Sequence, residues 1–297
     1  MTEDLSKLKI LVAGTARNCE KTIRQDVAAL NNALGFCQEV FWLIIESDSS
    51  DATTSKLESM AREFGNFRFF SLGRLAESLP LRTQRLAHCR NIYLDELWSN
   101  PIYADVSYLV VADFDGMNHL ITAEGFQSCW TRSDWAACTA NQRGPYYDIW
   151  ALRHCEWNPG DWMKQHRFLS THGVGSWRAG RAALYSKMIT INETGAWIEV
   201  DSAFGGLAIY RRNALGGARY FGVNEVGEEI CEHVSLNSQI RSRGHRIFIN
   251  PRLINAGITR HAREGYFFSH SRRCIVDLLR KGKRRLWNQT RRTDQSI

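Results

Sequence analysis

No two cysteines in this 297-residue chain are spaced as C-x-x-C, although there are eight, at 19, 37, 89, 129, 138, 155, 231 and 274. That scatter argues against a zinc ribbon or a thioredoxin-type redox pair. The opening residues, MTEDLSK, lack the basic-then-apolar pattern of a secretory signal, so the expectation is a cytoplasmic protein with free thiols. The Asn-x-Thr sequons at Asn192 and Asn288 then carry no consequence. No apolar run approaches the length that spans a bilayer. Internal repeats and low-complexity linkers are also missing. With 44% hydrophobic and 23% charged residues, usage is that of a globular protein.

What is present is uneven. The net charge of +7 concentrates at the end: residues 272–292 hold nine Lys/Arg and one acid, Asp277. Ile275, Val276, Leu278, Leu279, Leu286 and Trp287 interleave with those charges, as in helices that lie on a membrane surface. A solvated tail or a nucleic-acid patch is the competing reading. Ten tryptophans are many for this length; flat rings stack on sugar faces, but packing explains any single one as well.

Residues 1–118 alternate strand and helix. The apolar runs 8–13 (LKILVA), 40–45 (VFWLII), 67–72 (FRFFSL) and 108–112 (YLVVA) predict buried strands. Residues 14–18 are expected to form a loop, and Ile23, Val27, Leu30 and Leu34 mark one face of a helix. Further helices are predicted from about residue 51 and over 82–98. This order implies a mainly parallel sheet between helical layers, with ligands at the carboxyl ends of the strands. The second half is less regular. Residues 157–181 read as loops and short elements, 198–211 as strand broken by Gly205-Gly206, 230–243 as helix, and 246–249 as strand ended by Pro251.

Several clusters carry chemistry. Asp113-Phe114-Asp115 follows the fourth strand. Two carboxylates on same-side positions suit a hard cation, Mn²⁺ or Mg²⁺, that keeps positions open for phosphate oxygens; capping of a turn is the plainer alternative. In the loop after strand two (ESDSSDAT, 46–53), an acidic side chain is placed to accept from a base or ribose, while Ser50 or Asp51 caps a helix. Arg85 and Arg90 in RTQRLAHCRN (82–91) are candidates for phosphate, against an ordinary structural charge. Asp201 and Gly205-Gly206 in DSAFGGLAIYRR (201–212) suit an approaching acceptor, or a bulged core strand. Glu232 and His233 in CEHVSLN (231–237) are candidate bases, and Glu232 also suits a helix N-terminus. Asp148, Trp150 and Arg153 in YYDIWALR (146–153) offer sugar or phosphate contacts, or simply a core helix.

In order and kind, these segments resemble GT-A glycosyltransferases, in particular bacterial capsule or lipopolysaccharide glycosyltransferases and fungal capsule-associated mannosyltransferases. ARNCEKTI, ESDSSDAT, RLAHCRN, ADFD, YYDIWALR, FGGLAIYRR and CEHVSLNSQIRSRGHRIFINP carry the resemblance, over roughly residues 8–255. It implies a GT-A domain over residues 1–271, with a nucleotide-binding half at about 8–118, an acceptor-binding half at about 119–271, and a basic amphipathic tail at 272–297. By the same resemblance, Ala13 and Arg17, with Glu46 and Asp48, frame the nucleotide. Asp113, Phe114 and Asp115 meet the diphosphate, the two carboxylates through Mn²⁺ or Mg²⁺. Asp148 and Arg153 line the donor sugar, and Gly205-Gly206 shape the acceptor side. Glu232 stands where many inverting members carry the catalytic acid. This chain has Glu-His where the commoner pattern is Glu-Asp, which leaves the stereochemical outcome open. A third metal ligand would be a late histidine, His233, His261 or His270.

The expected activity is sugar transfer from a nucleotide-sugar donor to a glycan or lipid-linked acceptor in surface polysaccharide synthesis, with residues 272–297 expected to meet the anionic inner face of a membrane. Two other readings are a sugar-phosphate nucleotidyltransferase, for which Gly14-Thr15-Ala16-Arg17 is a thin phosphate loop, and a nucleic-acid-binding protein, for which no motif accompanies the basic tail. No nucleic-acid partner is expected.

Overall fold

The computed structural model describes residues 3–263. The basic tail at 272–297 and His270 lie outside them. Eight strands form one sheet: β1 (Lys9–Ala16), β2 (Glu39–Glu46), β3 (Phe67–Ser71), β4 (Tyr108–Ala112), β5 (Ala137–Gln142), β6 (Ile198–Val200), β7 (Leu207–Arg211) and β8 (Ile247–Ala256). The helices are α1 (Ile23–Ala33), α2 (Thr53–Glu63), α3 (Arg82–Ser99), the short α4 (Ala123–Gln127), α5 (Trp162–Thr171), α6 (Ser176–Ala183), the one-turn α7 (Arg212–Leu215) and α8 (Glu232–Ser242).

The strand order is β3-β2-β1-β4-β7-β5-β8-β6. β3, β2, β1 and β4 run parallel, as do β5 and β8; β7 is antiparallel to both β4 and β5, and β6 to β8. This is the mainly parallel sheet sandwiched by helices that the sequence leads one to expect. Alternation along the strands builds both layers. Leu11, Phe41, Leu43 and Ile45 pack with Tyr93, Leu94 and Leu97 of α3. Ile10, Val12, Trp42 and Ile44 pack with Ile23, Val27 and Leu30 of α1 and Leu57 and Met60 of α2. Strands buried on both faces read as continuous apolar runs, which is why they were visible in the sequence.

Four local expectations are corrected. β1 does not end at residue 13: Gly14, Thr15 and Ala16 stay in register with Ile44, Ile45 and Glu46, because β2 continues beside them. β8 is not stopped by Pro251. Its partner β6 covers only residues 247–249, and its pairing to β5 shifts register around Asn141. A proline is tolerated at such an irregular, one-sided stretch. Residues 146–153 form turns and an isolated bridge, not a helix. Residues 157–181 hold two helices, α5 and α6. Asp161 caps α5, accepting from Met163 N at 2.8 Å.

Strands β1 and β4 approach closely at Gly14. A Cβ there would lie 2.1 Å from the Ala112 carbonyl oxygen and 2.6 Å from the Phe114 ring. Gly14→Ala is therefore expected to cost about 1–3 kcal/mol of stability, read as a lower melting temperature. An unchanged melting temperature would contradict this packing.

Candidate active site

A cavity of about 740 Å³ opens where the strand ends meet α3 and α8. Thr15, Ala16 and Arg17 at the end of β1 line it, with Ser47 and Asp48 after β2 and Asp113, Phe114 and Asp115 after β4. Arg82, Arg85 and Arg90 of α3, Asp148, Glu232, His233 and His261 complete the polar wall. Trp150 and Trp162 also line it, whereas Trp42 and Trp135 are core residues.

Arg90 sits at the centre. It is 3% exposed; its Nη2 lies 3.6 Å from Asp113 Oδ1 and its Nε 3.3 Å from Glu232 Oε1. The guanidinium stands over the rings of Phe204 and Tyr220, 5.3 and 5.7 Å from their centroids. Its Nε and Nη1 are buried without a hydrogen-bond partner among the described residues. His233 stacks on Phe204, with both ring nitrogens buried and equally unpartnered. Burial, reinforced by Arg90, holds its pKa well below the usual value, so the ring is neutral.

The loop carrying Asp113 and Asp115 is held from behind. Asp113 N donates to Gly206 O at 3.0 Å, Asn118 Nδ2 to Asp113 O at 2.6 Å, and Thr22 Oγ1 to Phe114 O at 2.8 Å. Asp26, wholly buried in α1, accepts from Gly116 N at 2.7 Å and Asn118 N at 3.1 Å. Burial raises the Asp26 pKa to about 6 against the pull of those two amides. Nothing in the sequence flagged this residue. Its only signal is an acidic residue next to Val27, on the apolar side of a helix.

Several predicted residues meet in the cavity and others do not. Asp48, at φ 59°, accepts from Ala76 N through Oδ1 at 2.8 Å, and its Oδ2 lies 3.6 Å from Arg85 Nε. Arg85 also donates through Nη1 to the Leu79 and Pro80 carbonyls, each at 2.7 Å, so part of its guanidinium is committed to the chain. Asp148 Oδ2 accepts from Gly205 N at 3.0 Å. Gly205 and Gly206 have φ of 68° and 83°, which glycine adopts at no steric cost. They back the Asp113 loop and do not line the cavity.

Ala13 is interior to the sheet. Glu46 is 2% exposed and accepts from Ser49 N at 3.0 Å and from the Ser71 hydroxyl, closing its own loop. Arg153 faces away from the cavity, with Nη2 3.6 Å from Asp161 and Nη1 on the Trp150 and Leu152 carbonyls. Asp201 is exposed and pairs with Arg241 at 3.2 Å. These four are outside the cavity wall.

The donor set suits a divalent cation. Burial first, then the neighbouring Asp115, pushes the Asp113 carboxyl well above the usual range, and burial raises Asp115 and Asp148 as well. Carboxylates crowded in this way, even with Arg90 beside Asp113, are what a hard cation neutralises. Among the described residues no three His, Cys, Asp or Glu side chains converge to hold a metal, so the protein's share would be the Asp113–Asp115 pair. His261 stacks on Tyr147 at the rim, and His233 lies 3.9 Å from Glu232.

Solved structures of similar fold include S. aureus TarS (1–349), at 14% identity and TM-score 0.45 over 82% of this chain and 58% of that one. The mannosyltransferase PcManGT from Pyrobaculum calidifontis, solved with GDP-Man and Mn²⁺, matches at 14% identity and TM-score 0.46 over 86% and 58%. Glucosyl-3-phosphoglycerate synthase from Mycobacterium tuberculosis, solved with UDP, matches at 14% and 0.38 over 84% and 69%. This chain thus spans less than two thirds of the first two. No family model and no curated protein matches it.

Replacing Asp26 by Ala leaves two amides without their acceptor, at about 1.5–3 kcal/mol for each such charge-assisted bond. The expected result is a lower melting temperature, with amide exchange at Gly116 and Asn118 accelerated beyond the rise that lower global stability brings to β1. Equal exchange at those two amides would remove the clamp.

Proposed function

We propose that this chain is a metal-dependent glycosyltransferase that moves a sugar from a nucleotide-sugar donor to a hydroxyl of a glycan or lipid-linked acceptor. The observation that carries the reading is the Asp113–Asp115 pair at the carboxyl end of β4, facing a cavity large enough for a nucleotide sugar. Arg17 and Asp48 stand at the nucleotide end, after β1 and β2. When bound to the pair, Mn²⁺ or Mg²⁺ would neutralise the diphosphate as it leaves. Arg90, buried with unfilled donors, supports an anionic ligand in the same place.

Asp148, held by Gly205 N, is placed to orient the donor sugar. Glu232 is the candidate base for the attacking hydroxyl, and neutral His233 beside it is the second. In this reading the enzyme serves surface polysaccharide synthesis at the inner membrane face, with residues 272–297 contributing basic charge. Among the described residues no helix is long and apolar enough to cross a membrane.

Nucleoside diphosphates and nucleotide sugars, screened by thermal shift with and without Mn²⁺, test the reading. The expected result is a metal-dependent rise of roughly 5 °C for one nucleotide at hundredfold excess over Kd, abolished in Asp115→Ala. Turnover should release a nucleoside diphosphate; pyrophosphate would indicate nucleotidyl transfer instead. Full activity in Asp115→Ala would sink the metal role.

A further inference from the structure

Beside the first cavity lies a second, about 710 Å³, between α5 and α6, which shares Trp162, Leu184 and Tyr185 with it. The helices that form it are weakly embedded. α5 has no buried residue, and α6 buries only Ala179 and Ala183. They are joined through Gly173 at φ 83° and held by a 3.3 Å contact between His166 Nε2 and Ser176 O. Phe168 is 61% and Trp177 51% exposed. Trp177 lines the second cavity, and exposed aromatic rings beside basic residues suit the headgroup layer of a bilayer.

The charge on this hairpin identifies the contact. Residues 162–183 contain four Lys/Arg and no acid. Lys164 and Arg167 share one carboxylate, Glu228, at 3.0 and 3.7 Å. Arg178 and Arg181 have no carboxylate partner among the described residues, and Arg181 stands 5.8 Å over the Trp177 ring. A half-exposed tryptophan and phenylalanine among unneutralised guanidiniums match the boundary of an anionic bilayer. There the rings enter the headgroup layer, and each cation gains about 1 kcal/mol from the surface potential.

We propose that the α5–α6 hairpin docks on an anionic membrane surface and sets the mouth of the active-site cavity against the headgroups. A lipid-borne acceptor then reaches the cavity without leaving the membrane. This deepens the reading of a lipid-linked acceptor and rests on it, but the docking itself is measured without turnover and needs no contribution from residues 272–297.

The test uses the full chain with vesicles of phosphatidylcholine alone and with phosphatidylglycerol added. Partitioning onto the anionic vesicles is expected to fall about tenfold or more in the double variant Arg178→Glu/Arg181→Glu. Brominated lipid should quench the wild-type tryptophan fluorescence, and Trp177→Phe should lose a large part of that quenching. The Mn²⁺-dependent nucleotide shift should persist in the double variant, which separates failed docking from a failed assignment of the site. Partitioning unchanged by the double substitution, quenching unchanged in Trp177→Phe, or binding to single-stranded RNA but not to vesicles would each overturn the proposal.

Discussion

The Arg90 guanidinium is the positive charge about which the site is arranged. It comes from the inward face of α3, lies between Asp113 after β4 and Glu232 at the start of α8, and is roofed by Phe204 and Tyr220. A buried cation is tolerated only with compensating charge, and losing one partner leaves the others uncompensated. Three elements far apart in sequence are therefore tied to one point. The tie is also incomplete: Nε stands 3.3 Å from Glu232 without making a hydrogen bond, Nη2 is 3.6 Å from Asp113, and Nη1 is buried with no partner among the described residues. A network meant only for stability would close those bonds, since unmade ones are costly in low dielectric.

A second constraint fixes the carboxylate loop from its other side. Strand β4 delivers Asp113 and Asp115 to the cavity, but a strand end does not by itself position a loop. Thr22 and Asp26, at the start and in the first turn of α1, hold the Phe114 carbonyl and the Gly116 and Asn118 amides. Burying Asp26 is unfavourable, as its raised pKa of about 6 records. Placing a carboxylate in that position makes sense only for what it organises. Crowded carboxylates in front and a buried carboxylate behind make this loop rich in unfavourable charge, held by the surrounding packing.

How much of this was legible in the sequence follows from which contacts are local. LKILVA, VFWLII and YLVVA are continuous apolar runs because both faces of those strands are covered, so the first half could be read directly. ADFD could be placed at the end of its strand because it directly follows such a run. Arg90 was a candidate for phosphate, but its pairing with Glu232 spans 142 positions and leaves no local trace. Ala13, Glu46, Arg153 and Asp201 lie in the right segments, yet their side chains point into the sheet, into their own loops or to solvent. The α5–α6 hairpin was missed for another reason. Its helices are short, ten and eight residues, and Gly173, Gly175 and Gly180 punctuate the stretch, which reads as loop.

The antiparallel strand β7 decides how the two halves work together. It lies between β4 and β5, pairing Val111 with Ala208 on one side and Thr139 with Ala208 on the other. The glycine pair before it, at positive φ, turns the chain so that Gly206 O receives Asp113 N and Gly205 N reaches Asp148. A Cβ at Gly205 would lie 2.9 Å from the Ala140 carbonyl oxygen, so the close approach needs glycine as much as the turn does. The segments before and after residue 118 thus share one sheet and one set of hydrogen bonds at the carboxylates. Any shift of the second half is transmitted to Asp113 through backbone and not through a flexible linker, so the geometry around the carboxylates is set by the sheet itself.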